Sequence, residues 1–410
     1  MPTTMPNSLK KKILFVHHGK GLGGAPLSLL YLVKGLDPEK YQAEVLFLHN
    51  SDALQLFKEH GITCHGPVNR HDFAHTKIWW FRWYHALSLA RACLDTLKTI
   101  HSIARHWLEL IKPDLVHLNT SSLIAWGKIA HKIGIPVVWH IREPLAPGYL
   151  GARRALIKHS VEHYAAAIVP ICNNDALPWH HNPKTHVVYN AVNQTVFDAN
   201  LNPHDFLEYH QLDTYSPKIL FVGGLSQEKG TLVLLNIFEK ILTRVPQAQL
   251  VIAGYFDLQR PGTLNPKRFM PSAQFKRAVS TQLKKVKQSV HLLGAIKTVP
   301  AAMAAADVIV FPATVGHFAR PIIEAGFMKK PVVASQLAPL DELIIDKKTG
   351  YLIAPENIDE WASKISLLLL DKNKQKAMGQ AGFDFCSQTF SLPSQITKIQ
   401  KIYNQLLKEQ

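Results

Sequence analysis

The sequence predicts an α/β fold of two domains, each a parallel sheet flanked by helices. Three observations carry this expectation. The chain has 410 residues, more than one ordinary hydrophobic core fills. Short apolar runs that suit buried strands alternate with helical segments through both halves. A polar stretch, NQTVFDANLNPHD at 193–205, separates the halves and reads as a linker. Hydrophobic residues make up 47% of the chain, enough to furnish two cores.

In the first half, KILFVHH (12–18) reads as a buried strand, GKGLGGA (19–25) as a glycine-rich loop, and PLSLLYLVKGL (26–36) as a helix with Pro26 near its first turn. Gly23 and Gly24 let backbone come close to a ligand, though a tight turn without one is the other reading. Their spacing is not G-x-G-x-x-G, and no acidic residue closes the next strand, AEVLFLH (43–49). A nicotinamide site is therefore not expected. Further strands are PDLVHLN (113–119), PVVWHI (136–141), AAIVP (166–170) and HVVYN (186–190), with helices between them. His140 ends one of these strands, and His117 and Asn119 end its neighbour. Side chains at the C-terminal ends of parallel strands face the crevice where α/β proteins bind ligands. With 22 histidines in the chain, a satisfied core imidazole is the competing reading of His140. Arg142 and Glu143 follow directly, as a local ion pair or as ligand contacts.

Between these strands lies KIWWFRWYHALSLARACLDTLKTIHSIARHWLELIK (77–112). It opens with Trp79, Trp80, Phe81, Trp83 and Tyr84 around Arg82 and continues as a helical pattern bearing Arg91, Lys98 and Arg105. Aromatics flanked by cations suit the headgroup level of a bilayer, with the helix lying in the membrane plane. A core helix with a buried aromatic cluster is the alternative, but so dense a run exceeds what one helix face buries.

In the second half, FVGGLSQEKG (221–230) is a strand that breaks on Gly223 and Gly224 and re-enters a helix near Gly230, with Lys229 at the entry. LVIAG (250–254) and VHLLG (290–294) are short strands ending on glycine. ADVIVFP (306–312) is a buried strand whose loop, with His317, Phe318 and Ala319, leads to Arg320 and the helical PIIEAGFMKK; PVVAS (331–335) is the next strand. The loop amides and the helix start offer donors and a positive dipole end to phosphate. Glu324, in the first turns of that helix, would repel phosphate but could accept both hydroxyls of a ribose, or merely complement the dipole. After GYLIAP (350–355), ENIDEWASKISLLLLD (356–371) reads as an amphipathic helix. The terminal segment is another, with Ile396, Ile399, Ile402, Tyr403 and Leu406 on one face.

The ordered set FVGxL-x3-KG, LVIAG, VHLLG, ADVIVFP, R-x3-E-A and PVVAS resembles the nucleotide-binding domain of retaining family 4 glycosyltransferases, glycosyl transferases group 1. YNAVN (189–193) is similar to that family's Y-N-G-V-D at the end of its first domain, with Ala191 and Asn193 as departures. The resemblance implies the GT-B fold, two Rossmann-like domains facing a central cleft. Residues 1–195 would form the acceptor-binding domain and 196–388 the nucleotide-sugar-binding domain, with a helix at 389–410 crossing back to the first. It implies catalytic roles for His140, Lys229 and Glu324. Donor contacts would come from Gly23, Gly24, Gly223, Gly224, Lys229, His317, Phe318, Ala319, Arg320 and Glu324, and acceptor contacts from His117, Asn119 and Arg142. Two departures stand out. Gly316 occupies the place of the family's first glutamate, and Gly224 that of an arginine that pairs with the lysine on the diphosphate. Loss of a cation there weakens leaving-group stabilisation unless Arg320, Lys329 or Arg142 replaces it, and the sequence does not choose among them.

The formal charge of +16 implies an anionic partner. Nucleic acid is disfavoured, because the basic residues are dispersed and no binding motif is present; a nucleotide sugar, a glycan or lipid-linked acceptor and an anionic membrane surface, reached through Trp79, Trp80, Arg82 and Trp83, are the expected partners. Cys64, Cys93, Cys172 and Cys386 show neither metal-ligand spacing nor a disulfide framework. No cofactor or metal is expected, as there is no Asp-x-Asp motif at a strand end, and no carboxylate pair of the glycosidase kind. With no bilayer-spanning run and no secretory signal in MPTTMPNSLKKK, the expected location is the cytoplasm, peripherally on the inner face of the membrane. The expected function is retaining sugar transfer to a glycan or lipid-linked hydroxyl in bacterial surface polysaccharide assembly. The alternatives are a non-catalytic sugar-nucleotide or glycan-binding relative, suggested by Gly316 and Gly224, and a nucleotide-sugar epimerase.

Overall fold

A computed structural model of the chain describes residues 10–19, 21–70, 86–259 and 271–408. The chain divides into two compact units, residues 1–191 with 392–410 and residues 192–391.

Unit 1 is built on six parallel strands, β1 Lys11–His17, β2 Tyr41–Phe47, β3 Thr63–His65, β4 Leu115–Leu118, β5 Val137–Ile141 and β6 Ala167–Pro170. Their order in the sheet is β3-β2-β1-β4-β5-β6. Helices cover both faces, which is why ILFV and VVW are continuous apolar runs and do not alternate. On one face Ile13, Phe15 and Val138 pack with Leu29 and Val33 of helix Gly24–Gly35 and with Ile396, Ile399, Ile402 and Tyr403 of helix Leu392–Lys408. That helix pair approaches closely because Gly35 lacks a side chain: a Cβ there would lie 1.7 Å from Cδ1 of Ile396. On the other face Leu14, Val16 and Trp139 pack with Leu108, Ile111 and Trp126.

Unit 2 repeats the plan with β7 Lys218–Val222, β8 Gln249–Ala253, β9 Val290–Gly294, β10 Val308–Phe311, β11 Val332–Ser335 and β12 Gly350–Ile353, in the order β12-β11-β10-β7-β8-β9. Counted from its own first strand, each sheet has the doubly wound order 3-2-1-4-5-6. The winding therefore reverses between β1 and β4 in unit 1 and between β7 and β10 in unit 2, and ligands of such sheets bind at these reversals.

Two elements differ from the sequence reading. HVVYN is not a strand: His186 and Val188 donate backbone N–H to Ile168 and Pro170 (2.8 and 3.0 Å), and an isolated bridge joins Ile168 to Thr185, just before the segment. An extended segment lies along the edge of β6 without continuing the ladder. The short strand β3 was not expected, since three residues carry no period-two signal. The long helical pattern resolves into helix Ala86–Lys98, a π-helical stretch Thr99–Ile103 and helix Ala104–Ile111. Trp79, Trp80, Phe81, Arg82, Trp83 and Tyr84 lie outside the described residues. Among the described residues no helix is long and apolar enough to cross a membrane.

Candidate functional site

In unit 2 the loops that leave β7 and β10 are tied together: Thr314 donates its N–H to the Glu228 carbonyl (2.9 Å) and its hydroxyl to the Gln227 carbonyl (2.9 Å). The first loop turns at Gly224, whose φ is +63°, and a Cβ on it would lie 2.3 Å from the Tyr255 carbonyl oxygen. No arginine fits there, so this departure from the family pattern is a closed position and not merely a missing side chain. The loop ends at Gly230, with φ +78°, which caps helix Thr231–Leu242 and whose Cβ would sit 1.7 Å from the Pro312 carbonyl oxygen. Between these glycines Lys229 is partly buried. Its ammonium has no ion pair among the described residues, and burial lowers its pKa from the usual lysine value.

Beside it, His317 holds its Nδ1 2.9 Å from the Val315 carbonyl, which can only accept, so Nδ1 carries the proton. Burial lowers the pKa of this imidazole, and the neighbouring Lys229 charge lowers it further. Phe318 follows, and Ala319, 2% exposed, is the cap residue of helix Arg320–Phe327, where no side chain caps the first amides. Glu324 is 7% exposed and accepts from Arg320 Nη2 at 2.8 Å, one turn back on the same helix. Burial raises its pKa, and Arg320 opposes the rise. Gly316 is closed in the same sense as Gly224, since its Cβ would lie 1.9 Å from the Ala338 carbonyl oxygen.

Of the two cations in unit 2 offered as replacements for the absent arginine, neither lies free beside Lys229. Arg320 is engaged by Glu324. Lys329 lies past the C-terminal end of the helix, its ammonium 5.0 Å from the Phe383 ring centroid. Arg142 belongs to unit 1.

In unit 1 the reversal between β1 and β4 carries a buried polar network. Arg142 donates Nε–H to Asn119 Oδ1 (2.7 Å) and Nη1–H to Asn190 Oδ1 (2.5 Å). A guanidinium never accepts, so the Asn119 oxygen faces Arg142 and its Nδ2 donates to His17 Nδ1 (2.9 Å). His17 therefore carries its proton on Nε2, an atom buried without a partner. A second chain runs from Tyr403 Oη to His117 Nδ1 (2.6 Å) and from His117 Nε2 to His140 Nδ1 (3.0 Å), ending on an unpartnered, buried His140 Nε2. Burial lowers the pKa values of His17, His117 and His140, and the Arg142 charge adds to the effect on each. Burial beside a guanidinium thus favours the neutral form of all three imidazoles. His140 and Arg142 line a cavity of about 30 Å³ with Ser28 and Gln395, room for about one or two water molecules. Glu143 turns to Thr120 Oγ1 (2.7 Å) and Ser121 Oγ (3.2 Å). Gly23 caps helix Gly24–Gly35 with open space where a Cβ would stand, so a ligand could approach this glycine.

The expected residues thus assemble as two groups, His117, Asn119, His140 and Arg142 in unit 1, and Gly223, Gly224, Lys229, His317, Phe318, Ala319, Arg320 and Glu324 in unit 2. Sequence reasoning missed His17, Asn190 and Tyr403. His17 had a readable signal, the end of a strand that enters a glycine-rich loop. Tyr403 had none, because its spacing with Ile396, Ile399 and Ile402 marks it as core. Among the described residues no group of three histidine, cysteine, aspartate or glutamate side chains could hold a metal ion.

Residues 205–385 match the family described as glycosyl transferases group 1, and residues 23–175 match the glycosyl transferase 4-like domain. An uncharacterized glycosyltransferase of Methanocaldococcus jannaschii is 30% identical over 193 residues, 46% of this chain and 45% of that protein. The capsular polysaccharide biosynthesis glycosyltransferase CapM of Staphylococcus aureus is 22% identical over 202 residues, 49% of this chain and 50% of that protein. The chain thus spans about half the length of these relatives. The crystal structure of HepE from Anabaena in complex with UDP superposes with a TM-score of 0.76 at 20% identity, covering 96% of this chain and 100% of that one. The fold is the two-domain α/β GT-B fold, and the family matches indicate glycosyl transferases group 1.

Proposed function

With both halves matched by glycosyltransferase families, we propose that this chain is a retaining glycosyltransferase that moves a sugar from a nucleotide-diphosphate sugar to a hydroxyl of a glycan or lipid-linked acceptor, in bacterial surface polysaccharide assembly. The observation that carries this reading is Lys229. A desolvated ammonium without an ion pair among the described residues costs stability, and its place at the winding reversal, near His317 in the loop that leads to the uncapped helix Arg320–Phe327, suits a diphosphate. Glu324 spends Oε1 on Arg320 and keeps Oε2 for a ribose hydroxyl. HepE solved with UDP and with UDP-glucose supports a uridine nucleotide as the donor class, and CapM supports a surface polysaccharide as the product.

In the reaction the bond from the anomeric carbon to the diphosphate oxygen breaks as the acceptor oxygen bonds to that carbon on the same face. The acceptor proton passes to the departing diphosphate. Lys229 and the helix amides stabilise the charge that develops there, so neither a carboxylate pair nor a metal is required. His117, Asn119, His140 and Arg142 serve the acceptor side. The enzyme works in the cytoplasm at the inner membrane face, held by the aromatic and basic segment at 77–112.

A second reading, a sugar-nucleotide binder without turnover, draws on the closed positions Gly224 and Gly316. Incubation with a panel of nucleotide sugars and glycan or lipid acceptors separates the two. Released nucleotide together with a new glycosidic product supports transfer. A donor that raises the melting temperature without being consumed supports the binder, and an isomerised donor indicates an epimerase; either result overturns the transferase.

A further inference from the structure

The chain Tyr403–His117–His140 allows two proton arrangements, because each neutral imidazole carries one N–H. In the first, the Tyr403 hydroxyl donates to His117 Nδ1, His117 Nε2–H donates to His140 Nδ1, and His140 presents Nε2–H. In the second, His140 Nδ1–H donates to His117 Nε2, His117 Nδ1–H donates to Tyr403, and His140 presents a bare Nε2. The second arrangement strands a proton. Tyr403 is 0% exposed and its hydroxyl has no partner other than His117 among the described residues, so a hydroxyl that accepts from His117 has nowhere to donate. The first arrangement pairs every group except His140 Nε2, which is unpartnered in both.

We propose that Tyr403 and His117 are positioning residues that hold His140 as its Nε2–H tautomer, so that His140 meets an oxygen of the substrate as a hydrogen-bond donor and not as a proton-accepting base. The proposal rests on the assignment of His140 to the transferase site. It gives the terminal helix Leu392–Lys408 a part in that site beyond filling the core, since this helix carries Tyr403. The neighbouring His17 is fixed in the same sense by a different chain, in which the obligate donor is Arg142 acting through Asn119. Two imidazoles at one end of the sheet thus present Nε2–H, each because the group behind it can only give a proton.

The test reads the tautomer directly. Long-range proton–nitrogen correlation spectra of the full chain labelled with ¹⁵N-histidine distinguish a protonated from a bare Nε2, and the His140 signals are identified by their loss in His140→Gln. His140 is expected as the Nε2–H form alone. Tyr403→Phe, which removes the hydroxyl behind His117 Nδ1, is expected to give a mixture of both forms at His117 and His140. A bare His140 Nε2 in the wild type, or tautomers unmoved by Tyr403→Phe in a folded protein, overturns the proposal. Should Tyr403→Phe fail to fold, the wild-type tautomer decides alone. In transfer assays Tyr403→Phe is expected to lower kcat by about tenfold or more at unchanged KM, the scale of losing a tautomer-setting partner. The spectra need no substrate, so failure to find transfer would remove the function while leaving the relay standing.

Discussion

Arg320 donates to Glu324 at 2.8 Å, one helical turn apart, with both side chains less than a tenth exposed. Burial raises the Glu324 pKa more than the guanidinium lowers it. A carboxyl whose folded pKa lies above its unfolded value gives stability that is complete below the unfolded pKa and is lost as pH rises through the folded one. The stability of the wild type relative to Glu324→Gln should therefore decline as pH rises above the ordinary glutamate value of about 4. Melting curves across that range check the sign, and a relative stability that rises with pH would refute it. Glutamine is the informative variant, because alanine strands the Arg320 guanidinium at a cost of about 3–5 kcal/mol. In activity, Glu324→Gln should lower kcat/KM by about 100-fold, the loss of charge-assisted bonds to ribose.

Lys229 predicts two effects of opposite sign. Burial lowers its pKa, which means the folded chain bears the cost of a poorly solvated ammonium. Lys229→Met should therefore raise the stability of the unliganded protein by about 1 kcal/mol, as removal of strained site residues does elsewhere. The same variant should abolish the rise in melting temperature that a nucleotide-diphosphate sugar gives the wild type. Calorimetry with and without UDP measures both. A variant less stable than wild type that still responds to UDP would assign Lys229 to structure.

The two glycines that break the family pattern are predicted to resist restoration. Gly224 has φ +63° with the Tyr255 carbonyl 2.3 Å from any Cβ, and at Gly316 the Ala338 carbonyl stands 1.9 Å away. Gly224→Arg and Gly316→Glu should each cost about 1–3 kcal/mol and should not raise transfer rates. Denaturant titration gives the cost, and a gain in activity from either substitution would show that these positions are open after all.

How far the sequence foretold this site depends on which kind of residue carried it. Lys229, His317, Arg320 and Glu324 were legible because each lies in the loop or helix that directly follows a parallel strand, where sheet topology alone turns side chains toward a ligand. Gly224 and Gly316 were legible as absences, but their cause was not, since it lies in carbonyls at 255 and 338 that sequence spacing does not bring near. The pairing of Arg320 with Glu324 could have been read from its four-residue spacing on a helix. Tyr403 lies 286 positions from His117, and only the packing of the terminal helix brings them together. HVVYN was misread because two adjacent valines look like a strand whether or not a neighbour returns the hydrogen bonds.

The segment at 77–112 supplies the last prediction. Although its aromatic opening lies outside the described residues, the helix that follows exposes Leu87 (88%), Leu94 (58%) and Leu97 (53%), and Arg91 and Lys98 are exposed on the same helix. Leucines left in water beside cations are costly on a protein that stays in solution, but they suit a helix lying at an anionic headgroup layer. Replacing Trp79, Trp80 and Trp83 with alanine should lower binding to vesicles containing phosphatidylserine, and Arg82→Gln with Arg91→Gln should weaken it further and flatten its salt dependence. Each basic residue near such a surface contributes about 1 kcal/mol, so the paired charge change should reduce the partition coefficient by about 30-fold at low salt. Sedimentation with anionic and with neutral vesicles reads this out. Equal pelleting of wild type and variants, or equal pelleting with both lipids, would place these leucines and cations in a contact with protein and not with a bilayer.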